Sequence, residues 1–260
     1  MLEYTRLIKN LKQDSTGFKK MKIALLGDSA TQMFNKAIKA VGYQEKLNFE
    51  IYEADYGQIE QELFDPESKL HSFKPDYVII LYSLQKLQNL FYKKDSKSKV
   101  NFADEFVENL SKINNTINSD LHCKLLINNF IETDNRVYGN FSNKIEYSFL
   151  YQVRKINFTM MNLAVVNKNF NIIDISYLST FYSQNQIFNR KFYVTSDLAF
   201  SLDFFAEIAK CILDVIQASD GQIKKCLILD LDNTLWGGII GDDGVDKIQL
   251  GDFGTGRIFS

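Results

Sequence analysis

The sequence of 260 residues holds only two prolines, two histidines, three cysteines and one tryptophan. With so little proline, its loops must be short or polar. Cys123, Cys211 and Cys226 are far apart, odd in number and unlike any metal-ligand spacing, which argues against a disulfide framework and for a reducing cytoplasm. No apolar run approaches the roughly 20 residues that span a bilayer. Residues 1–22 lack the apolar core and cleavage site of a signal peptide. No membrane partner is therefore expected. Lys and Arg number 30 against 32 Asp and Glu, a formal net charge of −2. Without a basic excess, nucleic acid is not an expected partner.

The chain is 45% hydrophobic and 24% charged, a globular rather than disordered balance. Short apolar runs alternate with helical periodicity. Strands are expected at residues 21–26, 48–52, 76–82, 124–128 and 171–175. Helices are expected after Gly27-Asp28-Ser29, through Met33, Ile38 and Val41, and at 102–117, 145–167 and 197–218. In the second of these, Phe102, Phe106, Leu110 and Ile113 form a core-facing stripe. Strands alternating with long helices build βαβ units around a parallel sheet. Residues 1–219 thus read as a doubly wound α/β domain, with the regular part beginning near residue 20.

Ala218-Ser219-Asp220-Gly221 is a turn cluster and a domain boundary. Residues 220–260 form the start of a second domain, in which 224–230 read as a buried strand. The stretch from Lys224 to the end is too short to bury a core of its own. The expectation is the front part of a longer protein.

Asp230 and Asp232 leave that strand two residues apart, at the sheet edge where α/β proteins hold ligands. Phosphoryl transfer needs such a pair, one carboxylate to attack phosphorus and one to handle protons, with a divalent cation to offset charge. Asp243-Gly244 reads as a hairpin turn between Ile239-Ile240 and Val245, a flap beside the site. The plainer alternative is that the two aspartates cap a turn and Thr234 starts a helix.

The apolar run ending in Asp230-Leu231-Asp232-Asn233-Thr234 resembles the first motif of the haloacid dehalogenase (HAD) superfamily. The next residues, Leu235-Trp236-Gly237-Gly238-Ile239-Ile240-Gly241-Asp242-Asp243-Gly244, resemble the FkbH-like subgroup, HAD-IIIC. That resemblance implies Asp230 as a nucleophile forming an aspartyl-phosphate. It implies Asp232 as general acid/base, Mg²⁺ held by Asp230 and Asp232, and Thr234 and Trp236 on the turn and flap beside the substrate. The superfamily's later motifs fall beyond Ser260, so this chain alone is expected to hold an incomplete site. The Gly251–Arg257 stretch is a linker or opens a further helix.

Gly27-Asp28-Ser29 resembles the first block of SGNH esterases, where the serine is the nucleophile at a helix N-terminus. The ordinary alternative is a helix cap. Gly57 matches the second-block glycine, whose N–H joins the oxyanion hole. The third block is absent, with Leu81-Tyr82-Ser83-Leu84 in its place. In Asp197-Leu198-Ala199-Phe200, phenylalanine stands where the last block has histidine, and neither His71 nor His122 fits that role.

The two resemblances in this order imply a flavodoxin-like, SGNH-like domain followed by the first strand and flap of a HAD domain. The implied activity is that of a Mg²⁺-dependent biosynthetic phosphatase or phosphotransferase. Its substrate would be a phosphorylated three-carbon compound and its partner an acyl carrier protein. Two alternatives stay open, a serine esterase using Ser29 and a non-catalytic docking domain for a carrier protein.

Overall fold

Five strands, β1 (Lys19–Gly27), β2 (Leu47–Glu53), β3 (Tyr77–Leu81), β4 (Lys124–Asn128) and β5 (Phe170–Ile173), form one parallel sheet in the order β2-β1-β3-β4-β5. This computed structural model describes residues 1–133, 137–222, 226–251 and 254–259. The chain divides into two units, Met1–Ile216 and Gln217–Ser260. Among the described residues no helix is long and apolar enough to cross a membrane.

In the first unit, strand residues point alternately to two cores, as the two-residue period of a pleat requires. Ile23, Leu25, Ile79 and Leu126 face one core, with helices Gln32–Gln44 and Leu202–Ser219. Ala24, Leu26, Val78, Ile80 and Ile127 face the other, with helices Leu84–Lys93, Phe102–Thr116 and Phe149–Val166. The near-continuous apolar runs of the inner strands β1, β3 and β4 follow from this burial on both faces. Strand order reverses between β1 and β3, whose helices leave on opposite faces, and the carboxyl ends there flank a crevice.

Strand β4 lies at the expected residues, and the other four differ at their ends. Asp174, expected inside β5, caps the short helix Ile175–Leu178 by accepting from the Tyr177 N–H at 3.0 Å. The last helix starts at Leu202 rather than 197, because Asp197 is left-handed (φ +49°) and ends helix Arg190–Ser196. Helix Leu84–Lys93 was not expected from the sequence. Ser83 caps it, accepting from the Lys86 N–H.

The second unit corrects two expectations. Residues 226–230 are irregular and exposed rather than a buried strand; Leu227 is 78% and Ile228 90% exposed. Lys224 and Lys225 of that run lie outside the described residues. A strand needs a neighbour to receive its hydrogen bonds, and among the described residues none pairs with it. Nor does Asp243-Gly244 turn a hairpin, because Ile240–Asp243 forms one helical turn, with the Asp243 carboxylate accepting from the Ile239 N–H at 3.0 Å. Antiparallel pairing falls further out, between Gly237 and Gln249, with bonds of 2.9 and 2.7 Å. A short 3-10 helix spans Gly254–Phe259, and Asp252 and Phe253 lie outside the described residues. Gly221 (φ +78°) ends helix Leu202–Ser219, with N–H bonds from Gln222 to Gln217 and from Gly221 to Ala218, a Schellman motif.

Gly42, inside helix Gln32–Gln44, faces buried Phe49 of β2, and a Cβ there would overlap the phenyl ring. Alanine for glycine in a helix gains up to about 1 kcal/mol, while overpacking a core costs about 1–3 kcal/mol. The second effect should win, so Gly42→Ala should lower the urea midpoint. An unchanged or higher midpoint would show that the ring yields.

Candidate functional site

At the carboxyl end of β1, Gly27, Asp28 and Ser29 lead into helix Gln32–Gln44. The Asp28 carboxylate accepts the Ser83 N–H at 2.9 Å, joining the ends of β1 and β3 across the crevice. Burial is the largest influence on this carboxyl, reinforced by the charge of Asp197. Together they outweigh the Ser83 bond and the Lys86 charge, and raise its pKa to about 7. Ser29 is fully buried beside Asp28, and its Oγ makes no well-formed hydrogen bond.

Three further contacts decide what this cleft can do. The Gly57 N–H donates to the Gly27 carbonyl at 2.8 Å, so the hydrogen expected for an oxyanion is already committed. Asp197, from the segment compared with the last hydrolase block, accepts Lys86 Nζ at 2.8 Å, and its carbonyl accepts the Ala30 N–H at 3.0 Å. Burial pulls the Lys86 ammonium down, but Asp197 and Asp28 outweigh it and hold the pKa above its ordinary value. Such a lysine is a cation, not a base. Phe200 is 1% exposed among Phe188, Phe204 and Phe205. A phenylalanine cannot take a proton, so the position compared with the hydrolase histidine leaves Ser29 unactivated.

Two side chains that were not anticipated continue this edge. Asn128 accepts the Tyr82 N–H at 2.7 Å and donates to the Tyr82 carbonyl at 3.1 Å. Asn129 donates to Asp174 and accepts the Ser176 N–H. Two polar residues in a row where an apolar strand ends were the available signal for both.

In the second unit, Asp232 and Trp236 form an isolated bridge. One Asp232 oxygen, Oδ1, accepts the Trp236 indole N–H at 3.1 Å and the Ile240 N–H at 3.2 Å. The Thr234 hydroxyl lies 3.5 Å from the Asp232 carbonyl, a contact at the outer limit of a hydrogen bond. Asn233 takes a left-handed conformation (φ +54°), and its side chain accepts the Gly238 N–H. Asp230 is exposed, and its carboxylate accepts the Leu231 N–H at 2.9 Å. Asp232, Thr234 and Trp236 thus share one turn, with Asp230 at its entrance.

The family described as FkbH, N-terminal domain, matches residues 22–217. The chain belongs to this family. Over its whole length it is 36% identical to the N-terminal part of a Bacteroides fragilis protein containing a phosphatase domain, whose crystal structure is a complex with Mg. The TM-score is 0.92, and the chain covers 68% of that protein fragment. A family 3 carbohydrate esterase from Clostridium thermocellum shares the fold of the first unit's type, with a TM-score of 0.53 and 15% identity over 77% of this chain and 98% of the esterase. No curated protein matches.

Within this FkbH-family fold, Asp28 gives a measurable signature. Its carboxyl keeps a proton to about pH 7 when folded, against an ordinary value of 3.8. Between those values the folded chain holds a proton that the unfolded chain has released. Asp28's contribution is therefore full below about pH 4, falls as pH rises, and is lost above about pH 7. Asp28→Asn keeps an oxygen for the Ser83 N–H and removes the proton. In urea denaturation the variant should gain on the wild type between about pH 4 and about pH 7. A difference independent of pH would show that Asp28 titrates normally.

Proposed function

We propose that this chain is the front part of a Mg²⁺-dependent phosphatase or phosphotransferase of the HAD type, with Asp230 and Asp232 as its reacting carboxylates. The observation that carries the reading is the turn itself. Asp232 is held by two N–H donors while Asp230 stands exposed beside it. Similarity along the whole chain to a protein with a phosphatase domain supports it. From the family come the finer parts of the proposal, a phosphorylated three-carbon substrate, an acyl carrier protein as acceptor, and a cytoplasmic biosynthetic setting.

The residues present fit part of a Mg²⁺ site. Asp230 is exposed and offers hard carboxylate oxygens, the donors this cation prefers. Asp232 adds its backbone carbonyl, which leaves its side chain to handle the proton. Among the described residues no three ligand side chains gather, so water and further groups must complete the sphere. Bound there, the cation would offset charge on the phosphoryl oxygens.

The chemistry then falls to the two aspartates. An Asp230 oxygen attacks phosphorus, the bond from phosphorus to the substrate oxygen breaks, and that oxygen takes the proton of Asp232. In the second step Asp232 takes a proton from water, whose oxygen attacks phosphorus. The bond to Asp230 breaks, and inorganic phosphate leaves. When a thiol of a carrier accepts the acyl unit, that transfer is separate from phosphate release.

In a protein carrying the whole phosphatase domain, Asp230→Asn should abolish phosphate release, because an amide cannot form the acyl-phosphate. Asp232→Asn should slow it by roughly 10²–10⁴, the usual contribution of a positioned proton donor. Chelation should stop turnover and added Mg²⁺ restore it. Turnover that survives Asp230→Asn would refute the nucleophile.

For the first unit we propose a non-catalytic role, supported by Phe200 in an aromatic cluster and Lys86 on Asp197. Acetyl and p-nitrophenyl esters should not be hydrolysed by this chain. Ester turnover that disappears in Ser29→Ala would contradict this and reveal a recruited base.

A further inference from the structure

We propose that Trp236 is a positioning residue for Asp232. Its indole N–H, with the Ile240 N–H, fixes one carboxylate oxygen so that the other is left to exchange a proton with the substrate. This role rests on the functional reading of Asp232 given above.

The geometry is specific. Both donors converge on Oδ1, at 3.1 and 3.2 Å, and among the described residues none donates to Oδ2. A carboxylate in a loop rotates about two side-chain bonds, and each unproductive orientation reduces the fraction of turnovers with the proton in place. Two donors on one oxygen remove that freedom. The indole suits the task because it is rigid, half-buried and donates without accepting. Its own place is set by the bridge between Asp232 and Trp236, and by the left-handed Asn233 between them. The Ile240 donor comes from the start of helical turn Ile240–Asp243, which the Asp243 carboxylate steadies through the Ile239 N–H. The segment expected to be a flap therefore helps to hold the Asp232 carboxylate through the Ile240 N–H.

Trp236 is the only tryptophan in the chain, so one indole cross-peak in a ¹⁵N–¹H spectrum reports this contact alone. In the 260-residue chain, Asp232→Ala should move that peak toward the position of N-acetyl-tryptophanamide in the same buffer. This readout needs no turnover. In a protein with the whole phosphatase domain, Trp236→Phe keeps an aromatic ring and deletes the donor. It should lower kcat roughly 10- to 100-fold, as expected for one hydrogen bond to a charged group, with KM changed less than about twofold.

An indole peak indifferent to Asp232→Ala would overturn the contact, whatever the activity and whether or not Trp236→Phe folds. A shifted peak with wild-type kcat in Trp236→Phe would overturn the positioning role. A raised KM at unchanged kcat would also overturn it, by making Trp236 a substrate contact. If the wild-type protein released no phosphate, the functional reading would fail and this role with it, while the peak shift would still record the hydrogen bond.

Discussion

Crossovers that leave β1 and β3 on opposite faces of the sheet part the chain at the carboxyl ends of these strands. Backbone groups that a continuing strand would have paired are left at the rim of a buried core, where an unmet hydrogen bond costs about 1–3 kcal/mol. Asp28 answers this by taking the Ser83 N–H, and Asn128 by serving both polar groups of Tyr82. Asn129 and Asp174 extend the same solution to β5. The crevice is a consequence of topology, and its polar lining is a consequence of the crevice.

That constraint gives the polar residues of this edge a structural role that does not depend on catalysis. Asp28 joins the ends of β1 and β3 through the Ser83 N–H, and the Asp197 carbonyl joins the β1 loop to the segment before helix Leu202–Ser219 through the Ala30 N–H, whatever Ser29 does. Lys86 supplies the countercharge there. With two half-buried partners, the pair gains little as a surface ion pair. Its larger effect is to prevent two carboxyls from facing each other without a cation. Phe200 packs among Phe188, Phe204 and Phe205 and anchors its segment in the core.

The parallel sheet was legible because strands buried on both faces must be apolar throughout, and charged or polar residues stop them at Lys124 and Asn128. Helix Leu84–Lys93 has its own local signals too, the Ser83 cap and the spacing of Leu84, Leu87 and Phe91. The acidic turn was visible as a string of residue types. Lys86 on Asp197 was not, since the two are 111 residues apart and nothing local in either segment announces the other. Nor could residue types alone show that Gly57's N–H is spent on Gly27.

The second unit separates local from non-local determinants. Cys226–Asp230 has the composition of a strand, yet strand pairing is a contract with a neighbour distant in sequence, and its loop-closure cost must be met before contacts return anything. Without a paired neighbour among the described residues, Leu227 and Ile228 stay exposed. The turn that follows needs no such neighbour. Asp232 and Trp236 are four residues apart and Asp232 and Ile240 eight, so the bonds to Oδ1 close within one short loop. Asp232 can therefore be oriented by its own segment, while the apolar run before Asp230 needs a sheet neighbour to become a strand. Orientation of Asp232 and placement of Asp230 are thus separable physical problems: the first is met within one loop, and the second rests on strand pairing that a local segment cannot supply, even though only one residue lies between them.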